Sequence, residues 1–245
     1  MKKLFVPLYL AMFLGFLGVS TAHATLFSRG GGLIYDDVLN VTWLQNANLA
    51  ETETFGMSGI SSYGAMNWYA ANIWINAMND ASYMGFSDWR LPTNVDGPGV
   101  FGYDGSTTYG WNVTSSEMGY MFYVNLGNQG WIATDGSYNP GSSSGLLNFS
   151  FIDGDTGNIM SFMNLQSYEY WSGTEVGFRQ SSAWAFDFAT GNQHTGLKSA
   201  TGYPSIYYAW AVRSGDVAPV PEPHSVVLLL TGLGFLGRAF KRRQA

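Results

Sequence analysis

Two apolar runs near opposite ends of the chain set the limits of what it can fold into, because neither suits the core of a water-soluble domain. Lys2 and Lys3 precede an apolar stretch from Leu4 to Val19, and small residues close it at Ala22-His23-Ala24. That order is the pattern of a secretory leader, so signal peptidase is expected to cut after Ala24. At the far end, Val226 to Leu236 is apolar and is followed by Arg238, Lys241, Arg242 and Arg243. The expected organisation is a leader (1–24), a domain (25–219) and a tail (220–245), and about 195 residues suit one domain.

Six of the eleven basic residues lie in the end segments. Between Thr25 and Pro219 only Arg29, Arg90, Arg179, Lys198 and Arg213 stand against sixteen carboxylates, a formal charge of −11. Such a surface lacks the clustered cations that phosphate backbones require, so nucleic acid is not an expected partner, whereas cations and neutral sugars are admitted. An exported chain is free to form disulfides, yet this one has no cysteine, and packing alone must hold the domain. Nine Trp, fifteen Tyr and sixteen Phe offer the apolar area, and 31 Gly predict many tight turns.

The elements follow from patterning. Gly32 to Asp37 and Val41 to Gln45 are β-prone runs joined at Asp37 to Asn40, a hairpin. Apolar residues recur at three- and four-residue spacing from Ala65 to Met78, predicting a helix, and Ser115 caps a second that runs to about Leu126. Trp89 to Thr93 reads as a short strand or turn; Asn94 to Thr114 and Gly127 to Gly145 read as Gly-, Ser- and Asn-rich loops. Strands are expected at Tyr168 to Thr174, Ala183 to Phe188 and Tyr207 to Arg213. The fold class is therefore α+β, two helices packed on a twisted, mostly antiparallel sheet with long loops.

Few residues offer chemistry. His194 is the only histidine between Thr25 and Pro219 and falls in a loop-like stretch, so neither a multi-histidine zinc site nor a Ser-His-Asp arrangement has its parts, and no catalytic residue is expected. Asp153-Gly154-Asp155 places acidic oxygens two residues apart on a turn, which fits a hard cation such as calcium but also a plain β-turn. No other cofactor is expected. Asn79-Asp80 alone is a weak sugar-site motif. Tyr103, Tyr109, Trp111, Trp131 and Tyr138 lie in the polar loops, where aromatic faces stack on sugar rings; the same composition also serves a turn-rich β fold. Trp89, Trp171 and Trp210 are expected in the core, and Arg90 and Arg213 are expected to pair with carboxylates such as Asp88 or Glu117.

Five blocks in order resemble the Lcl C-terminal domain family. They are Gly32-Leu33-Ile34-Tyr35-Asp36, Gly85-Phe86-Ser87-Asp88-Trp89-Arg90-Leu91-Pro92-Thr93, Tyr170-Trp171-Ser172-Gly173-Thr174, Ala183-Trp184-Ala185-Phe186 and Trp210-Ala211-Val212-Arg213. The resemblance implies a fold related to the C-type lectin-like and formylglycine-generating-enzyme group, and an adhesin-like role. The namesake's sulfated glycans suit an acidic domain poorly, and the oxidation chemistry of the enzymatic branch needs cysteines that this chain lacks. The tail resembles a PEP-CTERM sorting signal: Val220-Pro221-Glu222-Pro223, an apolar span and a basic cluster. This implies processing by an exosortase near Pro221, Glu222 and Pro223 in a Gram-negative bacterium. From Val226 to Phe240 the span reaches only about 22 Å against a hydrocarbon core of about 30 Å, which suits a transient passage through the inner membrane. The expectation is a cell-surface or extracellular-matrix protein binding exopolysaccharide or another glycan. The alternatives are a purely structural biofilm protein and, last, an enzyme.

Overall fold

The computed structural model describes residues 25–142, 147–202 and 205–217. The leader, the tail, Ala24 and the Pro221-Glu222-Pro223 motif lie outside them. The first sheet runs in the order β1 (Leu26–Gly30), β2 (Leu33–Asp36), β3 (Val41–Leu44), β11 (Val212–Ser214). The β2–β3 hairpin is the one the sequence predicts. Asp36 shapes its turn, accepting the N–H groups of Val38 and Leu39 at 3.1 and 3.0 Å. The second sheet has the order β4 (Phe101–Gly102), β5 (Tyr109–Gly110), β10 (Asn192–Leu197), β9 (Ser182–Asp187), β8 (Glu169–Glu175). A separate hairpin joins β6 (Ser150–Ile152) to β7 (Ile159–Ser161). The class is α+β as expected, but the strands divide between two sheets and a hairpin, and β4–β5 is parallel.

Helix α1 (Trp68–Asp80) starts three residues later than its periodicity suggests, because Asn67 caps it by accepting the Ala70 N–H at 2.9 Å. It buries Trp68, Ala71, Trp74, Ile75 and Met78 on one face. The second helix is shorter than expected. Ser116, not Ser115, caps α2 (Glu117–Tyr120), and Met121–Asn125 widens into a π-helical turn in which the Leu126 N–H reaches Met121 O at 2.9 Å. Trp89–Thr93 contributes a single antiparallel bridge, Arg90 to Val212. Strand β10 is the largest correction. Its run Asn-Gln-His-Thr-Gly-Leu has no apolar alternation, but ladders to β5 and β9 hold it from both sides, so His194 sits in a strand opposite Ala185 and not in a loop.

Without disulfides, the indoles tie distant segments together. Trp68, Trp171 and Trp210 are buried and donate their Nε1–H to the carbonyls of Ser172, Met66 and Leu44 at 2.8, 2.8 and 2.7 Å. Each bond joins residues more than 100 positions apart while burying a large ring. Trp89 is also buried, and its backbone exchanges two hydrogen bonds with the Asn79 side chain, so Asn79 has a structural task. The expected arginine pairs form: Arg90 grips Glu117 through two bonds of 2.7 Å, and Arg213 grips Asp88 at 2.8 and 2.9 Å.

Candidate functional site: an aromatic face on the loops

The stretch from Phe101 to Trp111 contains two aromatic-Gly-aromatic triplets, Phe101-Gly102-Tyr103 and Tyr109-Gly110-Trp111. In extended chain, residues two apart share a face, so each triplet points both rings the same way. Strands β4 and β5 then pair in parallel with Phe101 opposite Tyr109 and Gly102 opposite Gly110, which brings the four rings together. Gly110 is required at the seam. Its φ is +125°, and a Cβ there would overlap the Gly102 carbonyl.

Phe101 is the centre of the cluster, edge-on to Tyr103, Tyr109 and Trp111 with centroids 5.3, 5.3 and 5.2 Å away. Tyr103 and Trp111 are near-parallel, 6.1 Å apart at 11°. The base is anchored: Tyr109 meets the buried Trp184 edge-on, and the Gln193 side chain of β10 donates to Thr108 O at 2.7 Å. Asn112 joins the neighbouring loop by donating to Tyr103 O and Ile132 O at 2.6 and 2.9 Å. That loop, bridged at Ile132 and Tyr138, carries Trp131 and Tyr138, and its Gly136 lies against the Tyr103 ring.

All five loop aromatics expected from the sequence therefore belong to two adjoining loops. Tyr103, Trp131 and Tyr138 are 40–62 % exposed, whereas Tyr109 and Trp111 are half-buried supports. Phe101, 42 % exposed, was not among the expected residues. The repeated aromatic-Gly-aromatic triplet was the signal that marked it.

The acidic turn has other work. Asp153 is buried, accepts the Ser28 N–H at 2.7 Å and bonds to both the N–H and hydroxyl of Thr156. Asp155 pairs with Arg29 at 2.7 Å, and Arg29 also grips Asp216. Among the described residues no group of three or more His, Cys, Asp or Glu side chains is placed to hold a metal ion.

His194 lies on one face of the second sheet with Glu169 and Asp187, its Nε2 3.5 Å from Glu169. Burial, aided by Asp187, raises the Glu169 carboxyl to about 7, and burial lowers the His194 imidazolium below its ordinary value. Both effects favour the neutral forms. Tyr207 packs edge-on to His194, with ring centroids 5.7 Å apart.

Fold and site together define a cysteine-free α+β domain, stapled by indoles, that displays aromatic rings on two linked loops. The Lcl C-terminal domain model matches residues 32–213, about three quarters of the chain, and the chain belongs to that family. Residues 219–243 match the PEP-CTERM protein-sorting motif, which marks the protein for export and sorting at the cell envelope and implies processing by an exosortase. No curated protein and no solved structure matches the chain. Among the described residues no helix is long and apolar enough to cross a membrane, and the short apolar span of the tail lies outside them.

Proposed function

We propose that the domain is a non-catalytic glycan-binding module, carried on an exosortase-sorted protein to the cell surface or extracellular matrix, and that its ligand is an exopolysaccharide. The observation that carries this reading is the ring cluster of Phe101, Tyr103, Tyr109 and Trp111, with the exposed Trp131 and Tyr138 on the adjoining loop. Exposed rings on loops braced by a rigid sheet offer flat apolar surfaces to the C–H faces of pyranose rings. The C-type lectin-like architecture implied by family membership belongs to the same reading, and the α+β layout supports it. An enzymatic role has little to work with: His194 is enclosed beside Glu169 and packs against Tyr207.

A glycan array probed with the purified protein, with a pull-down on the producer's exopolysaccharide, tests the reading. Retention that falls at least tenfold in Trp111→Ala and Trp131→Ala is expected. The second reading, a structural matrix protein, draws on the β6–β7 hairpin, where the cross-strand pair Ile152 and Ile159 is 67 and 77 % exposed. It predicts self-association lost in Ile159→Lys and no glycan retained.

A further inference from the structure

The aromatic face has a charge as well as a shape. From Leu91 to Phe178 the sequence contains no Lys, Arg or His, and it includes every ring of the face except the buried Trp184 beneath it. The same stretch carries eight carboxylates. Two of them stand in twin Asp-Gly-Ser turns that abut the rings. Asp104 follows Tyr103 directly, and Asp135 precedes Gly136, the residue packed against the Tyr103 ring.

In each turn one carboxylate oxygen is engaged in the same way. Asp104 Oδ1 accepts the N–H and hydroxyl of Ser106 at 3.0 and 2.6 Å, and Asp135 Oδ1 accepts those of Ser137 at 2.9 and 2.6 Å. These bonds fix the carboxylates in orientation and favour their ionised form. The second oxygen of each has no protein donor among the described residues, and both residues are exposed. Elsewhere the domain's cations are committed: Arg29, Arg90, Lys198 and Arg213 each hold a carboxylate, and only Arg179, in the β8–β9 turn, has no ion pair among the described residues.

We propose that the face selects cationic glycans, polymers of amino sugars whose amines are free and protonated, over neutral and sulfated ones. This rests on the glycan reading above and narrows it. An amino sugar offers both things the face can use, a C–H face for the rings and an ammonium for the fixed carboxylates at the rim. An ammonium near Tyr and Trp faces gains further from the ring quadrupole. A sulfated polymer meets the like charges of Asp104 and Asp135 where the amino sugar meets opposite ones.

The test uses the full chain in mild detergent and four probes: glucosamine oligomers, the same oligomers N-acetylated, a sulfated dextran, and polylysine of matched charge. Glucosamine oligomers are expected to bind at least tenfold more tightly than their acetylated counterparts. That preference should shrink severalfold between about 20 and 300 mM salt, and it should vanish in Asp104→Asn/Asp135→Asn, whose melting temperature should change little because the Asn Oδ1 still accepts the two bonds that hold each turn. Phe101→Ala should weaken both sugars. Equal binding of the two sugars would overturn the charge selection while leaving the aromatic reading standing. Polylysine binding as tightly as glucosamine, with no effect of Phe101→Ala, would overturn it by reducing the face to a simple cation attractor. Binding of none of the sugars would remove both readings.

Discussion

Truncating Trp210 tests whether indoles take the place of disulfides in this domain. The side chain is fully buried and lies against Trp43, Phe162, Tyr170 and Phe188, with centroids 4.6, 4.9, 6.1 and 5.9 Å away. Its Nε1–H bonds to Leu44 O at 2.7 Å, linking the last strand's approach to β3. Removing about 200 Å² of apolar area at about 25 cal/mol per Å² gives about 5 kcal/mol, and the lost bond adds about 1 kcal/mol. Partial collapse of the cavity returns some of this, so Trp210→Ala should lose roughly 3–5 kcal/mol. Trp210→Phe keeps most of the area and loses the bond, so about 1–2 kcal/mol is expected. For a domain of this size each kcal/mol is about 2–4 °C in melting temperature. Thermal unfolding followed by near-ultraviolet circular dichroism should place the Ala variant roughly 6–20 °C below the parent and the Phe variant in between. If both melt within about 2 °C of the parent, indole packing is not what holds the domain.

Three further outcomes follow. Glu169, raised to about 7, stabilises the fold while protonated, so its contribution is complete below about 4.5 and is lost as pH rises through about 7; His194, lowered, contributes above its unfolded value near 6.5 and loses that as pH falls. Melting temperature should therefore peak on the acid side of neutrality, and Glu169→Gln should remove the decline as pH rises through about 7, on the order of 1 kcal/mol after discounting for partial exposure; an unchanged decline in that variant refutes the assignment. Chelation of calcium should shift melting by no more than about 2 °C, since Asp153 and Asp155 already have protein partners; a steep fall abolished by Asp153→Asn with Asp155→Asn would restore a cation to that turn. Mass spectrometry of surface-associated protein should find a start at Thr25 and a cut near Pro221 to Pro223 only in hosts with an exosortase, and a chain ending at Ala245 with or without one would leave a plain anchor.

What could be read from the sequence depended on whether a pattern was local. The β2–β3 hairpin and helix α1 follow from local patterning, the burial of Trp89, Trp171 and Trp210 from their place in the blocks that resemble the family, and the pairing of Arg90 and Arg213 with Glu117 and Asp88 from the expectation that each seeks one of these carboxylates. Strand β10 was not legible because its residues are polar and its stability comes from two neighbouring ladders. The acid–imidazole cluster was hidden for the same reason: Glu169 and His194 are 25 positions apart and meet only across β9. The candidate site was half legible. Composition pointed to the loop aromatics and the repeated aromatic-Gly-aromatic triplet marks Phe101, but the roles of Tyr109 and Trp111 as supports depend on the parallel pairing of two-residue strands, which has no local signature.

The glycan reading is tested most directly by titrating the producer's own exopolysaccharide into the full chain by isothermal calorimetry, comparing the parent with Phe101→Ala/Trp111→Ala. The parent should give a saturable isotherm. The double variant, with at least two thirds of its melting cooperativity retained on a matched scan, should lose at least tenfold in affinity. A saturable isotherm identical in both proteins, or no heat in either at the highest polymer concentration reached, would contradict an aromatic sugar-binding face.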